Sequence, residues 1–413
     1  MDKEKNTTPE TESGTLVEKA SVLRVRGVSE KKKKPEKIAE PEEGSVTDDI
    51  PKGRSIARGI AKGFLRGLLI LVTFIVILFF VLLISLSMIH SESFPTAMKV
   101  SVTTFLETGQ MKFIPHLFLS NDRIKEIVDE NSLKKFDEQV DSTLIKVERK
   151  SGVSVSDGGE SDTGTDEKDI EIRQVSGPAF FGTMMIVKDP SRVSVATIFP
   201  WRELGITLGE LVKADGALGG INGGLYASHN NTGGSPYGVV VSRGEIQYNV
   251  PELWPGLVLV GFTEDDILQI ISIDGMKAAD VEKLVRDNHI RDAVTFQEEM
   301  SDSNNHFVQL IINGEAREVN GMGSGLNPRT AIGQRSDGAV LMFVTDGRGK
   351  NGHLGASASD LINVMTEFGA VNAANLDGGS SSCMYYEDSY LMTSVTFYYT
   401  TSSWRLPTGF VIH

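Results

Sequence analysis

The longest apolar stretch of the chain lies near its N-terminus and predicts a single membrane-spanning helix. The residues from Gly67 to Ile89 include no charged side chain. At about 1.5 Å per residue they extend roughly 35 Å, enough to cross the ~30 Å hydrocarbon core of a bilayer. Basic residues precede the stretch at Arg54, Arg58, Lys62 and Arg66. Because basic residues favour the cytoplasmic side, the pattern predicts a cytoplasmic N-terminus and an extracytoplasmic C-terminal domain.

The amino-acid composition on either side of this stretch predicts how the rest of the chain is divided into a tail, a stalk, a linker and a folded domain. Residues 1–66 are rich in Lys, Glu, Ser and Thr and predict a disordered cytoplasmic tail, which together with the 67–89 span argues against a cleaved signal peptide. Residues 90–150 mix charge with apolar residues at helical spacing and predict a stalk with a small helical region. Residues 151–169 are Gly, Ser and acidic and predict a flexible linker. The main folded domain is predicted over residues 170–413.

Within that domain the apolar pattern predicts an α+β fold, with a mixed, largely antiparallel sheet and flanking helices. One hairpin is predicted from Ala179 to Thr197, and another around the turn at residues 242–244. The clearest helix runs from Ser357 to Phe368, where Ser357 and Asp360 resemble a capping box. Further elements are a short helix at 208–214 and strands at 308–312, 339–344 and 404–413.

Charge and cysteine content narrow the function. The net charge is −14, and residues 67–413 are the acidic part, since residues 1–66 hold 15 basic and 12 acidic side chains. An acidic domain disfavours nucleic acid as a partner, because phosphate backbones need clustered Lys and Arg. The single cysteine, Cys383, leaves the domain without an internal disulfide, which fits a bacterial ectodomain. Cys383 is read as small buried filler, with a catalytic thiol as the alternative.

Three segments combine Gly with polar residues at the ends of predicted strands. They are GINGGLY at 220–226, NPRTAIG at 327–333 followed by DGR at 346–348, and NLDGGSSS at 375–382. Each segment alone reads equally well as an ordinary turn. Together they offer two carboxylates, two guanidinium groups suited to phosphate, and a Gly-Ser loop whose N–H groups suit an anion or a sugar. The chain lacks P-loop, GxSxG and HExxH motifs and zinc-type Cys/His spacing.

In order and spacing, these segments resemble the phosphodiester glycosidase family over roughly residues 175–413. The family includes animal enzymes that remove N-acetylglucosamine from a phosphodiester, and bacterial relatives described as exopolysaccharide or cell-wall proteins. The resemblance implies a hydrolase acting on sugar-1-phosphodiesters. One departure is Ser380, which stands where the family usually has a third Gly.

The resemblance also implies which residues form the site. The catalytic candidates are Asp377, Asp346 and Arg329. The substrate-binding candidates, including two suggested by the residue pattern around the motifs (Tyr226 and Ser381), are Asn222, Gly223, Tyr226, Thr330, Arg348, Asn375, Gly378, Gly379 and Ser381. Tyr226 is read either as a residue that stacks on a sugar ring or as a packed core residue.

The expected reaction is hydrolysis at the bond between the anomeric carbon and the phosphate oxygen. Arg329 or Arg348 would stabilise the leaving phosphate, and a carboxylate would act as nucleophile or as base for water, Asp377 being preferred to Asp346. No cofactor is expected with certainty, although the carboxylates also suit a divalent cation such as calcium. The expected partners are a carbohydrate polymer and the membrane. The alternatives are a non-catalytic carbohydrate-binding or scaffold protein and a glycosyl transferase of envelope polymer assembly.

Overall fold

A computed structural model describes residues 52–109, 111–136, 138–147, 169–301, 305–396 and 401–413. The predicted tail before residue 52 and the predicted linker up to residue 168 lie outside the described residues. The chain forms two compact units, Met1–Val72 and Thr73–His413. Of the first unit the structure describes the beginning of a long helix, and everything that follows about sheets and sites concerns the second.

Helix α1 (Lys52–Ile89) contains the predicted span. Its part from Ala61 to Ile89 is 29 residues long with a mean hydropathy of 3.4, so it is long and apolar enough to cross a membrane. The helix begins earlier than predicted, since residues 52–66 had been assigned to the disordered tail. No proline interrupts the sequence between Pro51 and Pro95, so nothing in it breaks the helix before the span.

A small helical region follows, made of α2 (Pro95–Glu107), α3 (Phe113–His116) and α4 (Asn121–Asp129). Met98, Val102 and Leu106 on α2 pack against Ile124 and Ile127 on α4. The Ser120 hydroxyl accepts a hydrogen bond from the N–H of Arg123 and caps α4. Helix α4 ends at Asp129, and Leu133 beyond it forms a β-bridge with Val319 of the main domain.

Over the residues that the structure describes, the main domain consists of short strands and three α-helices. The helices are α5 (Leu208–Asp215), α6 (Ala278–Asp287) and α7 (Ala358–Glu367). In chain order the strands are β1 (Ile170–Ser176), β2 (Phe181–Val187), β3 (Val193–Thr197), β4 (Ile206–Thr207), β5 (Gly219–Asn222), β6 (Gly238–Ser242), β7 (Glu245–Val250), β8 (Leu257–Thr263), β9 (Leu268–Ser272), β10 (Ile290–Gln297), β11 (Glu299–Met300), β12 (Asn305–His306), β13 (Gln309–Ile312), β14 (Glu315–Ala316), β15 (Thr330–Arg335), β16 (Val340–Thr345), β17 (Ala370–Asn375), β18 (Met384–Tyr386), β19 (Ser389–Met392), β20 (Arg405–Leu406) and β21 (Thr408–Ile412).

The strands described by the structure form three larger antiparallel sheets and two short ribbons. The seven-stranded sheet has the order β1-β2-β16-β15-β17-β13-β14, and the two five-stranded sheets have the orders β7-β6-β10-β8-β9 and β19-β18-β5-β21-β3. Their inner faces share one core, to which Met342, Phe262 and Phe410 each contribute from a different sheet. Helix α7 covers the outer face of the seven-stranded sheet, where Leu361 and Met365 are fully buried. The predicted α+β class with antiparallel sheets is confirmed.

Individual elements were predicted with mixed success. The hairpin around residues 242–244 is confirmed, with β6 and β7 joined by Arg243 and Gly244 in left-handed conformations at φ 54° and 79°. Helix α7 is confirmed with its capping box of Ser357 and Asp360. The hairpin from Ala179 to Thr197 is wrong. Strand β2 pairs with β1 and β16, whereas β3 pairs with β21, because the turn at Pro190–Arg192 carries the chain from one sheet to another.

Candidate active site

The register of the seven-stranded sheet gathers the sequence motifs at one edge. Thr330 at the start of β15 pairs with Val344 near the end of β16, and Ala331 pairs with Asn375 at the end of β17. Because β15 runs antiparallel to both neighbours, its beginning lies beside their ends. The loops that carry Arg329, DGR and NLDGG therefore meet, although up to 50 residues separate them in the sequence.

A cavity of about 80 Å³ lies at this edge. Six of its lining residues were predicted from the sequence, namely Arg329, Arg348, Asn375, Asp377, Gly378 and Gly379. The others are Glu107, Phe296, His306, Phe307 and Asn327. Among the lining residues, Glu107 and Asp377 supply the carboxyl groups and Arg329 and Arg348 the positive charges.

Arg329 is held almost completely by the protein. Its side chain is 7% exposed, and its guanidinium lies over the Phe307 ring at 4.9 Å from the ring centroid. The Nε atom donates to the carbonyl of Ala356 at 3.1 Å, and Nη2 donates to the carbonyl of Gly325 at 2.7 Å and to the carboxylate of Glu107. Within the described part of the chain no hydrogen bond from Nη1 is found, and Arg329 lines the cavity.

Arg348 approaches the cavity from the DGR turn. Its backbone is in the left-handed region at φ 52°, and its Nη1 donates to the Ser380 hydroxyl at 2.7 Å. Its Nε is buried and has no hydrogen-bond partner among the described residues. A Cβ on Gly379 would lie 2.5 Å from Nη2 of Arg348, so glycine is needed there for the guanidinium to fit. Burial and the neighbouring charge of Arg329 lower the pKa of Arg348 to about 10, which leaves it charged at neutral pH.

Asp377 is the partly buried carboxyl group of the NLDGG loop. Burial raises its pKa to about 7, against the opposing influence of hydrogen bonds from the Ser381 hydroxyl and the Gly378 N–H and of the positive charge of Arg348. The hydroxyl of buried Tyr226 lies 2.9 Å from Ser381 Oγ, and burial raises the Tyr226 pKa well above its usual value. Tyr226 and Ser381 thus support Asp377 from outside the cavity, and Tyr226 is a packed core residue.

Other predicted binding residues shape the loop without lining the cavity. Asn222 donates from Nδ2 to the carbonyl of Asp377 at 2.7 Å, and its Oδ1 accepts from Thr330 Oγ1 at 2.8 Å and from the Cys383 N–H at 3.1 Å. Gly223 allows close backbone packing, because a Cβ there would lie 2.5 Å from Thr408 Oγ1. These residues fix the position of the NLDGG loop from outside the cavity.

Asp346, predicted as a second catalytic carboxylate, lies outside the set of lining residues. Its side chain is 1% exposed, Oδ1 accepts from the N–H of Phe181 at 2.8 Å, and Oδ2 lies 2.7 Å from His353 Nδ1. Both oxygens are thus engaged, one by the start of β2 and the other by His353. The geometry makes Asp346 a support for the turn that carries Arg348.

Two lining residues carry chemistry that the sequence analysis did not find. Glu107 belongs to α2, in the region read as a stalk, and binds Arg329. His306 lies against Phe296, and burial together with the charges of Lys112 and Arg329 lowers its pKa to about 4. His306 is therefore neutral at neutral pH and acts there as a hydrogen-bonding group. Neither residue stands in a motif, so only the folded chain identifies them.

The sequence analysis also raised a divalent cation site and a catalytic thiol at Cys383, and both can be compared with the structure. Among the described residues no group of three or more His, Cys, Asp or Glu side chains is arranged to hold a metal ion. Cys383 is fully buried, and burial raises the pKa of its thiol well above the usual range, which agrees with the reading as core filler.

A second, open depression of about 890 Å³ beside α4 contains the ion pairs of Lys99 with Glu130 and of Lys125 with Asp129.

The comparison with protein families decides the classification. The model of the family described as phosphodiester glycosidase matches residues 215–413, which include every site residue predicted from the sequence. Residues 215–413 match the phosphodiester glycosidase family. The matched stretch begins at the end of α5, so Glu107 and the helical region that carries it lie outside the family match.

Individual relatives of the family domain are distant. The catalytic domain of zebrafish N-acetylglucosamine-1-phosphodiester alpha-N-acetylglucosaminidase, auto-inhibited by its pro-peptide, is 19% identical with a TM-score of 0.46, covering 59% of this chain and 82% of its own. A protein of Burkholderia pseudomallei described as exported is 14% identical with a TM-score of 0.36, covering 56% and 74%. The SPbeta prophage-derived uncharacterized protein YomE of Bacillus subtilis is 42% identical over 65 residues, which span only 10% of its length and 16% of this chain.

Proposed function

We propose that the main domain hydrolyses glycosyl-1-phosphodiester linkages in an envelope or capsular polysaccharide. The observation that carries the proposal is the convergence of Asp377, Arg329 and Arg348 on one small cavity. A phosphodiester brings a single negative charge and a sugar ring to such a cavity. The guanidinium groups of Arg329 and Arg348, which both line the cavity, are suited to its phosphate oxygens.

In the proposed reaction the bond between the anomeric carbon and the phosphate oxygen breaks. The bonding electrons leave with the phosphate oxygen, so a phosphomonoester forms and its negative charge increases in the transition state. The two guanidinium groups stabilise that charge, and protonation of the leaving oxygen matters little because a phosphate is a good leaving group. Water supplies the hydroxyl that ends on the anomeric carbon.

Asp377 is assigned as the carboxylate that serves the oxocarbenium-like transition state, as nucleophile or as base for water. Its pKa of about 7 makes a large fraction ionised at neutral pH while keeping it basic enough to accept a proton. The two roles differ in stereochemistry, since a nucleophile gives retention and a base gives inversion at the anomeric carbon.

We further infer that α1 anchors the domain in a membrane, with the N-terminus in the cytoplasm. The support is the length and apolar character of residues 61–89 together with the preceding basic residues. The domain would then lie on the extracytoplasmic side, where teichoic-acid-like and capsular polymers with sugar–phosphate linkages are found. Protease treatment of intact and lysed cells tests this orientation, and cleavage of the C-terminal domain only after lysis would contradict it.

Sugar release from chromogenic phosphodiesters, including esters of N-acetylglucosamine 1-phosphate, tests the activity. The matched pair is Asp377→Asn and Asp337→Asn, the latter changing an exposed turn residue paired with Arg335. We expect wild type and Asp337→Asn to release sugar and Asp377→Asn to lose about two orders of magnitude or more. Activity of Asp377→Asn near wild type would refute the assignment. A folded wild type that releases no sugar would favour a binding protein or a transferase.

A further inference from the structure

The helical region before the main domain contributes a buried carboxylate to the cavity. Glu107 is the last residue of α2, and its side chain is 3% exposed. Its Oε1 accepts from Asn305 Nδ2 at 2.8 Å and from the Gly325 N–H at 2.7 Å. Its Oε2 accepts from Asn327 Nδ2 at 3.0 Å and from Arg329 Nη2. A buried carboxylate is costly unless it is paired and hydrogen-bonded, and here all four donors come from the main domain.

The position of this carboxylate is fixed by the way α2 contacts the main domain. The Leu326 N–H donates to Thr104 Oγ1 at 3.0 Å. Gly325 approaches the helix so closely that a Cβ there would lie 2.4 Å from the backbone nitrogen of Thr104. Asn131, just after α4, donates from Nδ2 to the Ser324 carbonyl at 3.1 Å and accepts from the Met322 N–H at 2.7 Å. The region read from sequence as a stalk is therefore packed on the loop that leads to Arg329.

We propose that Glu107 is a positioning residue of the active site, which holds the guanidinium of Arg329 at the cavity and offsets its charge. The proposal rests on the proposed function for its effect on turnover, but not for its effect on anion binding. It follows that the active unit extends beyond the family domain and includes α2.

The charges of the cavity explain why an acidic partner is useful there. Arg329 and Arg348 are positive, whereas Glu107 and, in its ionised form, Asp377 are negative, so the lining charges balance before a substrate binds. Without Glu107 the cavity would carry one more positive charge and would favour the doubly charged phosphomonoester product. Arg329 Nη2 would also lose its charged acceptor and keep the Gly325 carbonyl and the Ser324 hydroxyl, so its alignment with the developing charge would be weakened.

The test uses the full chain purified in detergent, with Glu107→Gln, Glu107→Asp and the control Glu126→Gln. Glu126 is exposed on α4, where it pairs with Arg123, so the control removes a carboxylate from the same helical region without touching Arg329. The dissociation constant of inorganic phosphate is measured by calorimetry, and kcat is measured on the chromogenic esters. Thermal unfolding establishes that each variant is folded.

For Glu107→Gln we expect phosphate to bind about three- to tenfold more tightly, because a nearby negative charge is removed, while kcat falls at least about tenfold. Glu107→Asp keeps the charge but is shorter, so its phosphate affinity should stay within about twofold of wild type while kcat still falls. A merely structural role would not tighten phosphate binding. Glu126→Gln should match wild type in both.

Unchanged or weaker phosphate binding by a folded Glu107→Gln protein would overturn the proposal. If that variant does not fold, Glu107→Asp decides, and wild-type kcat in it overturns the proposal. If wild type binds phosphate but cleaves no ester, the proposed function fails, while tighter phosphate binding by Glu107→Gln would still support the role of Glu107 toward Arg329.

Discussion

The hydrogen bond from Ser381 to Asp377 gives the account a quantitative test. Burial raises the pKa of Asp377 to about 7, and the Ser381 hydroxyl is the strongest of the influences that hold it down. Ser381→Ala removes this donor and leaves the burial unchanged. The Ser381 hydrogen bond stabilises the carboxylate form of Asp377 more than the protonated form, so the pKa of Asp377 must rise when it is removed.

The size of the shift follows from the strength of the bond. A hydrogen bond to a charged group is worth about 1.5–3 kcal/mol, and one pKa unit corresponds to about 1.4 kcal/mol. Because Asp377 is only partly buried, water replaces part of the lost interaction, and the lower end of this range applies. We therefore expect the pKa to rise by about one unit.

The assay is the pH dependence of kcat/KM, which reports the ionisation of the free enzyme. As nucleophile or base Asp377 must be ionised, so activity should rise with pH, with a midpoint near 7 in wild type. In Ser381→Ala the midpoint should lie about one pH unit higher. The control is Ser382→Ala, since Ser382 Oγ accepts from Thr330 and does not contact Asp377. A midpoint in Ser381→Ala at or below that of wild type would refute the reasoning.

Three other changes have definite expected outcomes. Between its ordinary pKa of 3.8 and its folded-state pKa of about 7, Asp377 is protonated in the folded protein and ionised in the unfolded chain. The free energy of unfolding of wild type should therefore fall relative to that of Asp377→Asn as pH rises through this range, which urea unfolding at several pH values measures. Gly379→Ala should lower kcat/KM at least about tenfold by displacing Arg348, whereas Gly369→Ala, also left-handed but in open space, should cost stability alone. Leu361→Ala should lower the free energy of unfolding by about 2–5 kcal/mol without changing the KM of folded enzyme.

Local sequence signals were sufficient to predict those elements whose structure depends on residues close together in the chain. The capping box of α7 and the left-handed turn between β6 and β7 involve residues within a few positions of each other. The predicted hairpin at residues 179–197 failed because strand pairing is a tertiary choice. Two apolar strands around a turn look the same in sequence whether they pair with each other or join different sheets.

The residues of the candidate site that stand in sequence motifs could be predicted, and those outside motifs could not. Arg329, Arg348 and Asp377 were predicted because each stands in a motif at a strand end, and all three line the cavity. Asp346 has the same local pattern, yet its carboxylate is directed to Phe181 and His353, and sequence does not record side-chain direction. Glu107 was missed because its partner lies more than 200 residues away and no motif surrounds it.

The proposed activity requires cleavage between the anomeric carbon and the phosphate oxygen, and hydrolysis in ¹⁸O-labelled water measures directly which bond breaks. Attack at the anomeric carbon places the label on the released sugar, whereas attack at phosphorus places it on the phosphate. We predict that mass spectrometry will find ¹⁸O in the sugar and none in the phosphomonoester after a single turnover by the full chain. Label in the phosphomonoester would contradict the proposed glycosidase, and would identify the cavity of Asp377, Arg329 and Arg348 as a site for attack at phosphorus.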